Sequence, residues 1–184
     1  MAIPGAVLIV PIGDVESDLL VWLAAELGTT LGCSAAVGDP VPLPKSGYDP
    51  VRRQYRGEAM LGALRAVSAP AHRLLGLTDV DCYAPGLNFI FGQATLRGRE
   101  AFVALPRLRP SFYGLQDDPD LFRQRVLKEA VHELGHTWGL GHCPDPRCVM
   151  HFSNTLHDTD VKGAAFCPRC RRQIRVQDGD RYTR

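Results

Sequence analysis

The sequence of 184 residues contains no run of about 20 apolar residues, the length that a membrane-spanning helix requires. It also lacks an excess of one charge, since 21 Lys and Arg against 20 Asp and Glu leave a formal net charge of +1. We therefore expect neither a membrane nor a nucleic acid as a partner. The apolar stretch at residues 6–10 has no basic residue before it and no small-residue cleavage pattern after it, which argues against a secretory signal.

A cytoplasmic location is the expectation that follows, and it affects how the six cysteines are interpreted. In a reducing compartment, cysteines are more often metal ligands than disulfide partners. Cys33 and Cys82 belong to no motif, and we expect them to be buried thiols. The remaining composition, with 45% hydrophobic and 22% charged residues, is ordinary for a globular protein of one domain.

The hydrophobic pattern alternates between strands and helices, which predicts an α/β fold with a mostly parallel sheet and one antiparallel hairpin strand. Strands are predicted at 6–12, 33–37 and 73–83, and a hairpin over 88–108 that turns at 97–99. Helices are predicted at 15–28, 57–68, 117–138 and, shorter, near 158–165. Asp14 is expected to cap the first helix. Apart from the short helix, little regular structure is expected after Gly139.

Residues 38–56 carry prolines at positions 40, 42, 44 and 50 and are predicted to form a long irregular connection. Long ordered loops in compact domains are often functional. This loop is therefore a candidate wall of a cleft.

Three histidines and one glutamate occur at a spacing that suits a single zinc ion. His132 and His136 are four residues apart, so on a helix both project from one face. Gly139 permits a turn that would carry His142 to a third coordination position. Three neutral ligands leave one position open, as in catalytic zinc sites, and Glu133 is placed to handle the proton of a water molecule. The alternative is an amphipathic helix whose histidines are solvated or satisfied in the core.

Four cysteines predict a second metal site. Cys143 and Cys148, followed by Cys167 and Cys170, form the pattern C-x4-C…C-x2-C, which is typical of a closed tetrahedral zinc site. Such a site has no open position for water, so we expect its zinc to be structural. The alternatives are buried free thiols or a redox pair at the C-x2-C segment.

Together these motifs resemble the archaemetzincins, a family in the metzincin clan of zinc metallopeptidases. The residues that carry the resemblance are His132, Glu133, His136, Gly139, His142, Cys143, Cys148, Met150, Cys167 and Cys170. Segments at 10–13, 85–89 and 148–154 are also similar, so the likeness covers nearly the whole chain. His151 departs from the family pattern, in which asparagine is expected at this position.

The resemblance implies a metzincin-like twisted mixed sheet of about five strands with an active-site helix, followed by an irregular C-terminal segment tied by a zinc ion on four cysteines. A single metallopeptidase domain would divide into an upper part, about 1–139, which ends with the active-site helix, and a lower part, 140–184. Met150 would be the Met-turn methionine beneath the catalytic zinc. The hairpin strand near 88–97 would form the antiparallel edge of the sheet, to which an extended peptide could add.

The implied function is that of a zinc metallopeptidase with two zinc ions per chain, one catalytic and one structural. Glu133 would act as general base and then as general acid while zinc-activated water hydrolyses a peptide bond. Tyr113 and His151 are candidates for a further oxyanion donor. We expect a peptide or protein substrate and favour a monomer.

Two other functions fit parts of the sequence. A zinc protein could bind peptides with little turnover if the loop at 38–56 shields the cleft. A zinc-ribbon module could bind nucleic acid through the basic run at 171–175, although this run is short and leaves the histidines unexplained. If the protein is instead an aminopeptidase, an acidic or carbonyl-rich stop must hold the substrate's α-amine. Glu100 and Asp79 or Asp81 could contribute to it, although ordinary surface charge is the simpler interpretation of each.

Overall fold

The computed structural model describes residues 5–179, which form a five-stranded mixed sheet flanked by helices and a smaller three-stranded sheet. The strands are β1 (Ala6–Ile12), β2 (Ser34–Val37), β3 (Tyr48–Asp49), β4 (Gln54–Arg56), β5 (Arg73–Thr78), β6 (Cys82–Tyr83), β7 (Gly92–Ala94) and β8 (Glu100–Ala104). The α-helices are α1 (Ser17–Leu31), α2 (Gly57–Arg65), α3 (Pro119–Thr137), α4 (Leu156–Val161) and α5 (Pro168–Gly179). The predicted fold class is confirmed.

The main sheet has the strand order β2-β1-β5-β8-β7, and every pairing in it is parallel except that of β7 with β8. All six residues of β5 are buried because this strand lies at the centre of the sheet. The position of β7 at the edge of the sheet, antiparallel to β8, confirms the edge strand predicted from the hairpin pattern. Its rising arm begins later than expected, since Gly92 is the first residue paired with β8 and Ile90 bridges to Cys82 of the smaller sheet.

The two faces of the main sheet support separate apolar cores, because alternate side chains of a strand point to opposite faces. In β1, Val7 and Ile9 join the core that includes α1 and α3, whereas Val10 and Ile12 join the core around α2. Helix α3 therefore packs, from Val126 onward, against the same face of the sheet as α1.

Helix α3 begins at Pro119, two residues after the predicted start at 117. The Asp118 side chain accepts a hydrogen bond from the Leu121 backbone N–H at 2.9 Å, and Pro119 occupies the first helical position. Although α3 has 19 residues, no helix among residues 5–179 is long and apolar enough to cross a membrane.

Several boundaries differ from the prediction. Helix α1 is preceded by Glu16 without a side-chain cap, so the expected capping by Asp14 is wrong. The helix also runs past Gly28 and ends only where Gly32 adopts a φ of 66°. The strand predicted at 73–83 is interrupted, because β5 ends at Thr78 and the chain leaves the main sheet before β6.

Two segments predicted as irregular contain regular structure. Residues 38–56 include a 3-10 helix at Lys45–Gly47 and the short strands β3 and β4. Residues 168–179 form helix α5, which the sequence does not predict because this stretch has few apolar residues. The buried Cys170 and Ile174, four residues apart, fasten this helix to the core.

Candidate active site

A cleft of about 680 Å³ lies between helix α3, the edge strand β7 and residues 152–154. All four residues of the predicted histidine motif line it: His132, Glu133 and His136 from the helix, and His142 from the segment that follows. The opposite wall consists of Ala84, Gly86, Leu87, Asn88, Phe89, Ile90, Phe91, Gly92, Gln93, Ala94 and Leu96. The cleft is therefore framed by an exposed sheet edge on one side and the histidines on the other.

The end of α3 explains how His142 reaches the cleft. Gly139 has a φ of 84°, its N–H donates to the His136 carbonyl at 2.8 Å, and the Leu140 N–H donates to the Gly135 carbonyl at 3.1 Å. This pair of bonds is a Schellman motif, in which glycine takes the left-handed conformation that ends the helix. The reversed chain then brings His142 back beside the two helical histidines, as the spacing predicts.

The three imidazole rings form one cluster. Their centroids are 4.7 to 5.4 Å apart, and one nitrogen of each ring lies within 4.8 Å of one nitrogen of each of the others. The Nδ1 atom of His132 is 2.8 Å from the Val149 carbonyl, and that of His136 is 2.8 Å from the Leu140 carbonyl. Because a carbonyl oxygen only accepts, each Nδ1 carries the hydrogen, and each Nε2 of a neutral ring offers a lone pair.

This geometry fits a zinc ion. The Nε2 atoms of His132 and His136 face each other at 3.1 Å, which brings two lone pairs together with no hydrogen between them. Two nitrogens bound to one tetrahedral zinc at about 2.0–2.1 Å would lie roughly 3.3 Å apart. His142 would supply the third ligand, and such a set leaves one coordination position for water or substrate.

The electrostatic environment favours neutral histidines. Burial lowers the pKa of His132 well below its ordinary value, and the nearby ammonium of Lys162 lowers it further. Burial also lowers the pKa of His136 and His142. Unprotonated rings are the form that a metal ion requires.

Glu133 is buried against the edge strand, at a place where only glycine leaves room for it. A Cβ atom on Gly92 would lie 2.7 Å from the Glu133 Cγ and 2.5 Å from the Phe102 carbonyl oxygen. Burial raises the pKa of the Glu133 carboxyl well above its ordinary value, the Glu129 carboxylate raises it further, and Lys162 opposes both effects. A carboxyl with a raised pKa suits proton transfer near neutral pH.

Met150 is fully buried and packs its sulfur against α3 at Gly135, between His132 and His136. A side chain on Gly135 would overlap the Met150 Sδ. The preceding carbonyl, that of Val149, receives the His132 N–H, so the segment at 149–150 supports the ring and the helix together.

The four predicted cysteines also gather in one place. The Sγ atoms of Cys143 and Cys167 are 3.8 Å apart, as are those of Cys148 and Cys170, and none of these cysteines forms a disulfide. Sulfurs bound to one tetrahedral zinc at about 2.3 Å would be roughly 3.8 Å apart. The donor set therefore fits a zinc ion held by four thiolates.

The environment favours the thiolate form at one of these cysteines, whereas burial raises the pKa of Cys148 and Cys170. Burial alone would raise the pKa of Cys167, but hydrogen bonds from the Cys170 backbone and from the neighbouring thiols lower it to about 7. The Arg169 guanidinium lies 3.7 Å from the Cys143 sulfur, where it offsets negative charge.

Other predicted residues lie elsewhere. The carboxylates of Asp79 and Asp81 form bidentate pairs with Arg109 and Arg107. Glu100 lies with its side chain 13% exposed and 3.9 Å from Arg65. These acids face arginines and do not line the cleft, so the expectation that they could hold a substrate amine is wrong.

The two suggested oxyanion donors are also engaged outside the cleft lining. The Tyr113 hydroxyl donates to the Arg107 carbonyl at 3.2 Å, and the His151 Nδ1 is 2.9 Å from the Cys143 carbonyl. The geometry thus supports neither as a donor to substrate.

The proline-rich loop is not a wall of this cleft. Residues 38–44 line a separate cavity of about 540 Å³ beside α2. Arg52, from the same loop, supports one wall of the cleft, since its guanidinium donates to the carbonyls of the lining residues Leu87 and Asn88 at 3.0 and 2.9 Å. The position of Arg52 depends on chain topology, and no local pattern indicates it.

The sequence analysis missed Glu129, Lys162 and Gly92. Glu129 lines the cleft, and its position three residues before His132 on the same helix could have indicated this. Lys162 and Gly92 come from distant segments, and only the folded chain brings them to the site.

The chain is similar to known proteins over most of its length. The sequence profile of peptidase family M54 matches residues 41–176. An archaemetzincin from Pyrococcus furiosus is 41% identical over 185 aligned positions, covering 97% of this chain and 96% of the relative. The crystal structure of an archaemetzincin from Methanopyrus kandleri superposes with a TM-score of 0.83 at 42% identity, covering 94% and 95% of the two chains. That of a zinc-dependent peptidase from Methanocorpusculum labreanum gives 0.82 at 30% identity, covering 91% and 99%.

Proposed function

This chain belongs to peptidase family M54 and is a zinc metallopeptidase of the archaemetzincin type, and we propose that Glu133 is its general base and acid. We further propose that His132, His136 and His142 bind the catalytic zinc. The observation that carries this proposal is the 3.1 Å approach of two Nε2 lone pairs whose rings are both oriented by carbonyl acceptors.

In the proposed reaction, Glu133 takes a proton from the attacking water and later delivers it to the leaving amine. A zinc ion held by His132, His136 and His142 would supply Lewis acidity, which lowers the pKa of a water toward about 7 and polarises a carbonyl. Burial at Gly92 restricts the carboxylate to one side of the cleft, beside the histidine cluster. General acid–base catalysis of this kind is typically worth about 10²–10⁴-fold in rate.

The substrate binds, we propose, as an extended peptide along β7. On either side of β7, the Phe91 carbonyl accepts from the Ala104 N–H, and the Thr95 N–H donates to the Glu100 carbonyl. Both bonds point toward β8. Because these bonds alternate along an antiparallel strand, the backbone groups of Gly92 and Ala94 point to the free edge. A substrate strand can pair with this edge while its side chains contact the apolar cleft wall.

The cluster of four cysteines is proposed to hold a second, structural zinc, which gives two zinc ions per chain. It would cross-link the lower part of the domain, 140–184, in which all four cysteines lie, beneath the upper part, about 1–139. Met150 would be the Met-turn methionine. Its thiol spacing suits metal binding in a reducing environment, in keeping with a cytoplasmic location. A monomer that acts on peptides without nucleic acid remains our expectation.

The proposed roles are tested by two substitutions. We expect Glu133→Ala to retain zinc at the histidine site but to lose hydrolysis of a diverse peptide library, measured by mass spectrometry with and without chelator. His136→Ala should lose that zinc as well as activity. Turnover retained in Glu133→Ala would contradict the assigned role, and the positions of the cuts separate aminopeptidase from endopeptidase action.

The same assay tests the two alternatives. A zinc-containing peptide-binding protein with little turnover would bind library peptides but leave them intact even with zinc added. Its proposed cause is not supported, since the loop at 38–56 lies away from the cleft lining. A nucleic-acid-binding module would give a salt-dependent gel shift.

A further inference from the structure

A buried ion pair lies behind the histidine cluster. The Lys162 Nζ is 2.9 Å from the Glu129 Oε1, and the two side chains are 0% and 3% exposed. The same carboxylate oxygen accepts a hydrogen bond from the Thr159 hydroxyl at 2.9 Å. Lys162 belongs to the segment that follows α4, whereas Glu129 lies on α3, so the pair joins the C-terminal segment to the helix that bears the histidines.

Lys162 also contacts a candidate zinc ligand. Its Nζ is 3.4 Å from the His132 Nδ1, at the edge of the ring that already donates to the Val149 carbonyl. The ammonium therefore stands between a carboxylate and an imidazole, on the side of the ring opposite the Nε2 lone pair. Because the ammonium and the Nδ1–H are both donors, this contact is not a hydrogen bond: the Val149 carbonyl accepts from Nδ1, and the ammonium, held by Glu129, packs beside that edge of the ring.

Stability alone does not explain the pair. Removing two charges from water costs free energy that their attraction often only balances, and apolar residues of similar size can replace such pairs without loss of stability. The contact between α3 and α4 also has other anchors. Arg125 forms a bidentate pair with Asp160, and the Lys128 Nζ donates to the carbonyls of Thr159 and Asp160.

We propose that Lys162 and Glu129 are positioning residues that fix the ring of His132 for zinc and so couple the C-terminal segment to the metal site. This inference rests on the proposed function, because it takes His132 as a zinc ligand. The carboxylate orients the ammonium, the ammonium packs against the Nδ1 edge, and the Val149 carbonyl fixes the ring plane.

The test uses a double variant, Glu129→Leu with Lys162→Met, which leaves no unpaired buried charge. We expect it to fold, as judged by far-UV circular dichroism and thermal unfolding. Its dissociation constant for zinc at the histidine site, measured by chelator competition, should rise about 10- to 100-fold. At saturating zinc, kcat should fall by a larger factor than KM changes, because β7 is untouched although Glu129 also lines the cleft.

Lys128→Met is the matched control. It removes a lysine from the same contact between α3 and α4, but its Nζ bonds only to the carbonyls of residues 159 and 160 among the interactions described. Zinc affinity in this variant should stay within about threefold of the unsubstituted protein, well below the change that loss of an outer-shell partner produces.

Three results would overturn the proposal: unchanged zinc affinity in the double variant, equal losses in the double variant and Lys128→Met, or a double variant that does not fold. Equal losses of zinc affinity would mean that the effect comes from the contact of α4 with α3. Failure of the double variant to fold would mean that the ion pair is needed for folding. The proposed function fails separately, if the unsubstituted protein binds no zinc that depends on His136.

Discussion

At the residue scale, the position of Glu133 depends on the absence of a side chain at Gly92, which lies beside it in the fold. Gly92 lies on the edge strand, and the Glu133 side chain fills the space that a side chain there would occupy. The same contact keeps the carboxyl buried, and burial is the main reason why its pKa is raised. The conformation and the proton affinity of Glu133 thus have a common cause.

Gly92→Ala should therefore impair catalysis without removing the metal. The added methyl group would lie 2.7 Å from the Glu133 Cγ and 2.5 Å from the Phe102 carbonyl, so the carboxylate must move. We expect kcat to fall about tenfold or more, since small displacements of catalytic groups are costly. Gly141→Ala is the control, because Gly141 also lines the cleft but a Cβ there meets no atom within 4 Å. Equal activities of the two variants would contradict the packing argument.

Glu133→Gln should stabilise the protein from which histidine-site zinc has been removed. Because folding raises the pKa of this carboxyl above its ordinary value of 4.5, its favourable contribution to stability is fully present below pH 4.5. That contribution is lost as the pH rises through the raised pKa, where the buried group must ionise. At pH 7.5 the variant should gain about 1 kcal/mol or more in urea unfolding. A gain that is no smaller at pH 5 would refute this account.

At the scale of elements, the same turns of α3 pack against the core and bear two histidines of the site. Its core-facing residues, Val126, Ala130 and Leu134, are fully buried, while His132 and His136 project toward the cleft. Gly135 lies between these faces and provides the space that Met150 occupies. Helix propensity alone disfavours glycine at such a position, so packing explains its presence.

Replacing glycine by alanine should lower the stability of the protein in α3 but raise it in α2. Gly135→Ala places a methyl group against the buried Met150 sulfur and should cost about 1–3 kcal/mol, as overpacking does. Gly62→Ala in α2 meets no atom within 4 Å and should stabilise the protein by roughly 0.5–1 kcal/mol. Thermal or urea unfolding of both variants checks the signs, and a stabilised Gly135→Ala would show that Met150 moves aside without cost.

The elements also indicate why sequence reasoning succeeded where it did. Helix α3 and its end at Gly139 depend on residues within a few positions, and both are predicted from the sequence. Helix α5 was missed because its apolar positions are sparse, and its attachment depends on Cys170 contacting cysteines far along the chain. Local patterns carry information about local bonds, and long-range contacts such as that of Lys162 with Glu129 leave no such pattern.

At the scale of the whole molecule, the site depends on a C-terminal segment with little apolar core of its own. This segment meets the body at the buried ion pair, at the pair of Asp160 with Arg125 and at the Val149 carbonyl, which accepts from the His132 Nδ1. The cysteine cluster and the hydrogen bond from the Cys143 N–H to the Met150 carbonyl hold the segment itself together. His142 directly precedes Cys143. A metal at the cysteines would therefore restrain the third histidine through one peptide bond.

Replacing Cys167 and Cys170 by alanine should lower zinc affinity at the histidine site, although neither residue contacts it. Loss of two of the four thiols removes the closed coordination that fastens residues 143 and 148, so His142 becomes less constrained. We expect the total zinc content to fall and the histidine-site dissociation constant to rise about tenfold or more, as for other indirect supports of metal ligands. Cys33→Ala controls for cysteine removal, because Cys33 is half-buried and lies outside both clusters. If chelator competition gave the same affinity in all three proteins, the two metal sites would be mechanically independent, and the position of His142 would follow from the Schellman turn alone.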